Sequence, residues 1–198
     1  MTRTLRSALT APGSPRRVDG VLVIRADLVE EIVAHARRDH PREACGQLLG
    51  PEESDRPERY VPMTNADDAE ARGSDYRFDS REQFAVHKQA LENDEEPVVV
   101  FHSHTRVPRR PLTDSGRPEA YPSVKDIEYM GLQPGVHFAI VALTGPDAEP
   151  DLRSFLLGPD GEVVEDEIQV VENYMFSHTG AGDVPPVAAL APDVPDRS

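Results

Sequence analysis

Apolar and polar positions along the chain change period several times, and each change marks an element. Residues 21–24 form a short apolar run, which predicts a strand. Over 27–39, Leu28, Ile32 and Ala36 recur every fourth residue, with Val29 and Val33 beside them, so a helix is predicted that Pro41 ends. Residues 43–50 pass through a small-residue turn into a strand, and after a charged loop at 51–57 residues 59–63 suit its hairpin partner. A polar stretch, 64–79, carries one aromatic pair, Tyr76 and Phe78. Residues 80–93 predict a helix with Ser80 at its N-cap and Phe84, Lys88 and Leu91 on one side. The run 97–101 is apolar on both faces, as in a central strand. A short helix starts near Ser123 and runs to Met130, followed by strands at 136–143 and 152–157 and one or two more in 163–171. The irregular alternation of helices and strands predicts an α/β fold, a mixed β-sheet flanked by helices.

Both ends leave this pattern. Residues 1–18 hold four arginines, no acid and no apolar centre, and 176–198 turn to Gly, Pro, Ala and Asp; both are expected to be disordered tails around a single domain at 19–175. The chain length of 198 residues suits one such domain with its own core. A formal net charge of −15 argues against nucleic acid as the main partner, because phosphate recognition needs clustered Lys and Arg. No apolar stretch approaches the roughly 18 residues of a membrane span. Cys45 is the one cysteine, so no internal disulfide can form and a reducing cytoplasm is the expected setting.

The polar break at the end of the run 97–101 carries the chemistry. Phe101 is followed by His102-Ser103-His104, and alternate side chains of a strand point to one side, so both imidazoles can meet one ion. Asp126 would complete a two-His, one-carboxylate set, which leaves a tetrahedral zinc position open to water and lowers that water's pKa to roughly 7. Hydrolysis also needs a proton carrier, for which Glu43 is the candidate, and Ser123, three residues before Asp126, can steady an oxyanion. Each part has an ordinary reading too. His-x-His occurs at strand ends without a metal, Ser-x-x-Asp is a helix-capping signature, and Glu43 alone reads as a solvated charge.

In order, these residues resemble the JAMM (MPN-plus) metalloprotease family, whose signature is a distant Glu, then His-x-His, then Ser-x-x-Asp. The segments 41–46, 62–66, 76–79 and 119–123 look like its bacterial branch, and the likeness spans roughly residues 21 to 171. The resemblance implies a cytidine-deaminase-like α/β sandwich and one Zn²⁺ held by His102, His104 and Asp126. It further implies that Glu43 moves the proton from water to the departing amine while Ser123 assists the oxyanion. The implied substrate is a ubiquitin-like β-grasp sulfur-carrier protein, cut at the amide after its C-terminal Gly-Gly to release cysteine or a short extension. The chain departs from the family in one respect: 21 residues, 105–125, separate His104 from Asp126, more than the compact motif has. The surplus, about 106–117, reads as an inserted loop.

Other readings stay open. The same scaffold can serve as a non-catalytic MPN-type interaction module, or as a zinc hydrolase of small-molecule amides. Cys45 could be a nucleophile with a histidine as base, although a small buried residue is the simpler reading. His137, inside an apolar run, reads as a buried, hydrogen-bonded histidine rather than a further ligand. The acids Asp67, Asp68, Asp75 and Asp79 do not match an EF-hand spacing, and Asn65 is a candidate contact for the substrate tail.

Overall fold

The computed structural model of the chain describes residues 20–67, 76–105 and 120–174. The expected tails and the inserted loop at about 106–117 lie outside these residues, as do Asp68 and Asp75. The elements are β1 (Val21–Arg25), α1 (Ala26–Asp39), β2 (Cys45–Pro51), β3 (Arg59–Met63), α2 (Ser80–Glu92), β4 (Glu95–His104), α3 (Val124–Leu132), β5 (His137–Ala142), β6 (Asp151–Leu157) and β7 (Val163–Val171). They build one sheet in the order β1-β7-β6-β5-β4-β2-β3. The pairs β1/β7 and β4/β5 are parallel and the rest antiparallel, so the sheet is mixed.

Helix α1 covers one face. Its apolar stripe of Leu28, Ile32 and Ala36 packs on Leu22, Ile24, Leu48, Val99, Phe101 and Val141. The opposite face carries Cys45, Val100, Phe138, Ile140 and Phe155 beneath Ala90 of α2 and Met130 of α3. Burying such side chains stabilises by about 1.5–3 kcal/mol each, so both layers are needed to hold the sheet between them. Among the described residues no helix is long and apolar enough to cross a membrane.

Three local expectations need correction. First, β4 is twice as long as the apolar run 97–101, because Glu95 and Glu96 pair with β2 while His102 and His104 pair with Ile140 and Ala142 of β5. The histidines therefore sit inside a strand with neighbours on both sides. Pro97 is accommodated by a register shift at Leu48/Leu49, the kind of irregularity that a proline inside a sheet requires. Second, Asp79 caps α2, not Ser80: its Oδ1 accepts from the amides of Arg81 and Glu82 at 3.0 Å each. Third, the expected stripe of α2 faces outward. Phe84 is 70% and Leu91 59% exposed, while Ala90 is the buried position. Residues 163–171 form one strand.

Candidate metal centre

The C-terminal ends of the parallel pair β4/β5 form the corner where polar side chains collect. Open α/β sheets tend to bind ligands outside the carboxyl ends of parallel strands. Here His102 and His104 project from alternate positions of β4 on the α2/α3 face, the side on which Val100 packs. Cys45 lies opposite His102 in the antiparallel β2/β4 register. One further pair is made by Ala44 and Ser103, whose backbones bond at 2.9 Å. Glu43, two residues before Cys45, is 4% exposed.

Asp126 comes from the first turn of α3, which is held by a reciprocal cap. The Asp126 amide donates to Ser123 Oγ at 3.2 Å, and the Ser123 amide donates to Asp126 Oδ2 at 2.7 Å. The capping signature and the ligand set are thus one arrangement, in which the cap aims the carboxylate. Ser123 itself is exposed, and its hydroxyl proton is not used by the cap, which employs Oγ as acceptor.

His102, His104 and Asp126 each offer a ligand atom within 4.8 Å of the others. The two Nε2 atoms lie 3.0 Å apart. His102 Nε2 is 3.3 Å from Asp126 Oδ1, and His104 Nε2 is 3.5 Å from Asp126 Oδ2. Ligands bound tetrahedrally at about 2.0–2.1 Å from zinc are separated by about 3.3–3.4 Å, and the three spacings, the two to Asp126 running to its different oxygens, lie near that value. The protonation states fit as well. Burial pushes the His102 imidazolium pKa down, against the pull of Asp126, which favours a neutral ring. Burial works to raise the Asp126 pKa, but its interaction with His102, with hydrogen bonds from His104 and the Ser123 amide, outweighs it and holds the carboxyl well below the usual range. A neutral imidazole and a carboxylate are the forms that bind metal.

Side chains given no part in the metal site by the sequence support this corner. Ser103, fully buried, accepts the Ala44 amide on its Oγ at 2.8 Å and so pins the backbone next to Glu43. Thr105 Oγ1 donates to the Pro41 carbonyl at 2.8 Å, tying the chain after His104 to the turn before Glu43. Tyr76 lies face to face with His102, ring centroids 4.3 Å apart and planes 23° from parallel. Residue type in a polar stretch gave no sign of these contacts; they depend on chain segments that meet only in the fold.

Asn65, the candidate contact for the substrate tail, also has a structural part. Its Nδ2 donates to the Glu43 carbonyl at 2.9 Å, while its Oδ1 accepts from the amides of Asp67 and Arg77. It clamps the backbone of Glu43. Cys45 is unsuited to nucleophilic work, since burial pushes its thiol up to about 12. His137 bonds Asp166 through Nδ1 at 2.8 Å, and Asp166 also accepts from Ser154 Oγ.

Comparison with known proteins identifies the family. A family model described as prokaryotic homologs of the JAB domain matches residues 25–111. Proteins named CysO-cysteine peptidase from Mycobacterium tuberculosis and Mycobacterium bovis are 49% identical over 154 residues, covering 78% of this chain and 94% of theirs. The solution structure of protein DSY2949 from Desulfitobacterium hafniense aligns at a TM-score of 0.58 and 32% identity, over 77% of this chain and 94% of its own. A Salinibacter ruber protein aligns at 0.52 and 28%, over 76% and 92%. On its sequence and its fold, this chain belongs to the prokaryotic JAB (JAMM/MPN) domain family.

Proposed function

We propose that the chain is a zinc-dependent amide hydrolase that cuts after the C-terminal Gly-Gly of a ubiquitin-like sulfur-carrier protein, releasing cysteine or a short extension. The convergence of His102, His104 and Asp126 is the observation that carries the reading. Family membership and the peptidase-named relatives support hydrolysis, and the relatives' name supports a sulfur carrier as the substrate. The single buried cysteine suits work in a reducing cytoplasm.

His102, His104 and Asp126 would hold the zinc ion, which when bound supplies Lewis acidity toward water and the scissile carbonyl. The Glu43 carboxylate takes a proton from the attacking water and returns it to the departing amine nitrogen, so one group serves as base and then as acid. The peptide group that follows it is held at both ends, its carbonyl by Asn65 and its amide by Ser103, which limits the freedom of Glu43 to move. The Ser123 hydroxyl donates to the oxygen that gains charge as the carbonyl carbon becomes tetrahedral.

Purified protein loaded with zinc should convert a carrier–cysteine adduct to the carrier ending in Gly-Gly, read by intact-protein mass spectrometry. Glu43→Gln should keep its zinc and lose about 10²–10⁴ in rate, the range for losing a positioned acid–base group. A Glu43→Gln protein with zinc and full activity would refute the role of Glu43. Turnover of short amides with none of the carrier adduct would refute the substrate.

A further inference from the structure

His102 is held in an unusual way. A histidine that ligates a metal through one ring nitrogen almost always gives its other N–H to a carboxylate, a carbonyl or water, which fixes the ring's orientation. His102 presents Nε2 to His104 and Asp126. Its Nδ1 is buried and meets no hydrogen-bond partner among the described residues. The ring is fully buried, so orientation must come from packing.

Tyr76 supplies packing on one face of the ring. Tyr76 lies over the imidazole at 4.3 Å between centroids, an offset-stacking distance. Tyr76 is itself braced edge-on by Tyr129 of α3 at 5.7 Å and tilted against Phe78 at 5.6 Å. It is 3% exposed, so its ring has little room to turn. The bridge between Asn65 and Phe78 anchors the segment that carries it, and Asn65 is the residue that clamps Glu43. Two bridged stretches thus meet here, one touching the ligand ring through Tyr76 and the other the Glu43 backbone through Asn65.

We propose that Tyr76 is a positioning residue for the metal centre, its stacked ring holding the His102 imidazole in the ligating orientation that a hydrogen bond to Nδ1 would otherwise set. The inference rests on the zinc reading above and concerns how one ligand is aimed. Tyr76 acts through His102, and it is the ring face that matters, not the hydroxyl.

The test compares wild type, Tyr76→Phe, Tyr76→Leu and Tyr76→Met. Zinc affinity is measured by competition with a chromogenic chelator, and ligand geometry by the visible absorption of the cobalt-substituted proteins. Tyr76→Phe should match wild type in both. Tyr76→Leu and Tyr76→Met should bind zinc about 10- to 100-fold more weakly, the usual loss when an orienting partner is removed, and their cobalt spectra should change. Wild-type affinity and an unaltered cobalt spectrum in the Leu and Met variants would overturn the proposal. So would a failure of both variants to fold even with zinc, because Tyr76 would then belong to the scaffold. Wild-type protein that binds neither ion would instead bring down the zinc reading itself.

Discussion

Gly46→Ala is a sensitive probe of how tightly the strand beside the metal corner is packed. Gly46 lies in β2 between β3 and β4, paired with Pro62 on one side and Phe101 on the other. A Cβ at this position would fall 2.5 Å from Phe101 Cε1, 2.6 Å from Phe101 Cζ and 2.6 Å from the Val61 carbonyl oxygen. Real Cβ contacts do not come this close, so something must move. The carbonyl belongs to the neighbouring strand and cannot shift without disturbing the ladder. The Phe101 ring is no freer, stacked on Tyr60 at 5.7 Å and edged by His35 at 5.8 Å. Forcing extra volume into such a site costs about 1–3 kcal/mol. For a chain of this size each kcal/mol lowers Tm by about 2–4 °C, so a fall of about 2–12 °C is expected in a thermal melt. Gly131→Ala, in α3, is the control: its Cβ would approach nothing nearer than Leu157 Cδ2 at 3.8 Å. There the gain in helix propensity, about 0.5–1 kcal/mol, should raise Tm. A Gly46→Ala protein that melts with wild type, or a Gly131→Ala protein that melts below it, would refute this reading of the packing.

The cap of α2 gives a paired test: Asp79→Ala should cost about 1 kcal/mol in urea unfolding, whereas Ser80→Ala should stay within about 0.5 kcal/mol of wild type. Cys45 should resist thiol reagents at pH 8 in the folded protein and react fully in denaturant. Its folded pKa of about 12 lies above that of a free thiol, so the reactive thiolate is scarce at any pH below it. Asn65→Ala should lower kcat on the carrier–cysteine adduct without loss of zinc, since it frees the Glu43 carbonyl and touches no ligand; unchanged kcat would count against the clamp.

Much of this architecture was legible in the sequence because it is written in short periods. The four-residue stripe of α1 and the apolar runs of β4 and β5 each identify an element from its own residues. His-x-His was readable for the same reason, as alternate positions of a strand share a face. What escaped depends on tertiary context. Phe84 and Leu91 keep a helical spacing, yet α2 packs through Ala90, and no local pattern announces which side of an amphipathic helix the sheet will accept. The length of β4 was hidden because Glu95, Glu96 and the two histidines are polar, while their backbones are paired by β2 and β5. Asn65 and Tyr76 sit in a stretch without periodicity, and their contacts with Glu43 and His102 join segments 22 and 26 residues apart in the chain. Asp79 and Ser80 are both good caps by type; only the backbone geometry at 79 selects between them.

Anomalous diffraction at the zinc edge, from crystals of wild type and of Asp126→Ala grown with zinc, tests the metal centre most directly. Wild type should show one strong peak among His102 Nε2, His104 Nε2 and the Asp126 carboxylate, and Asp126→Ala should lose most of it. A wild-type zinc ion bound elsewhere, or a peak in Asp126→Ala as strong as in wild type, would contradict the assignment of these three residues as its ligands.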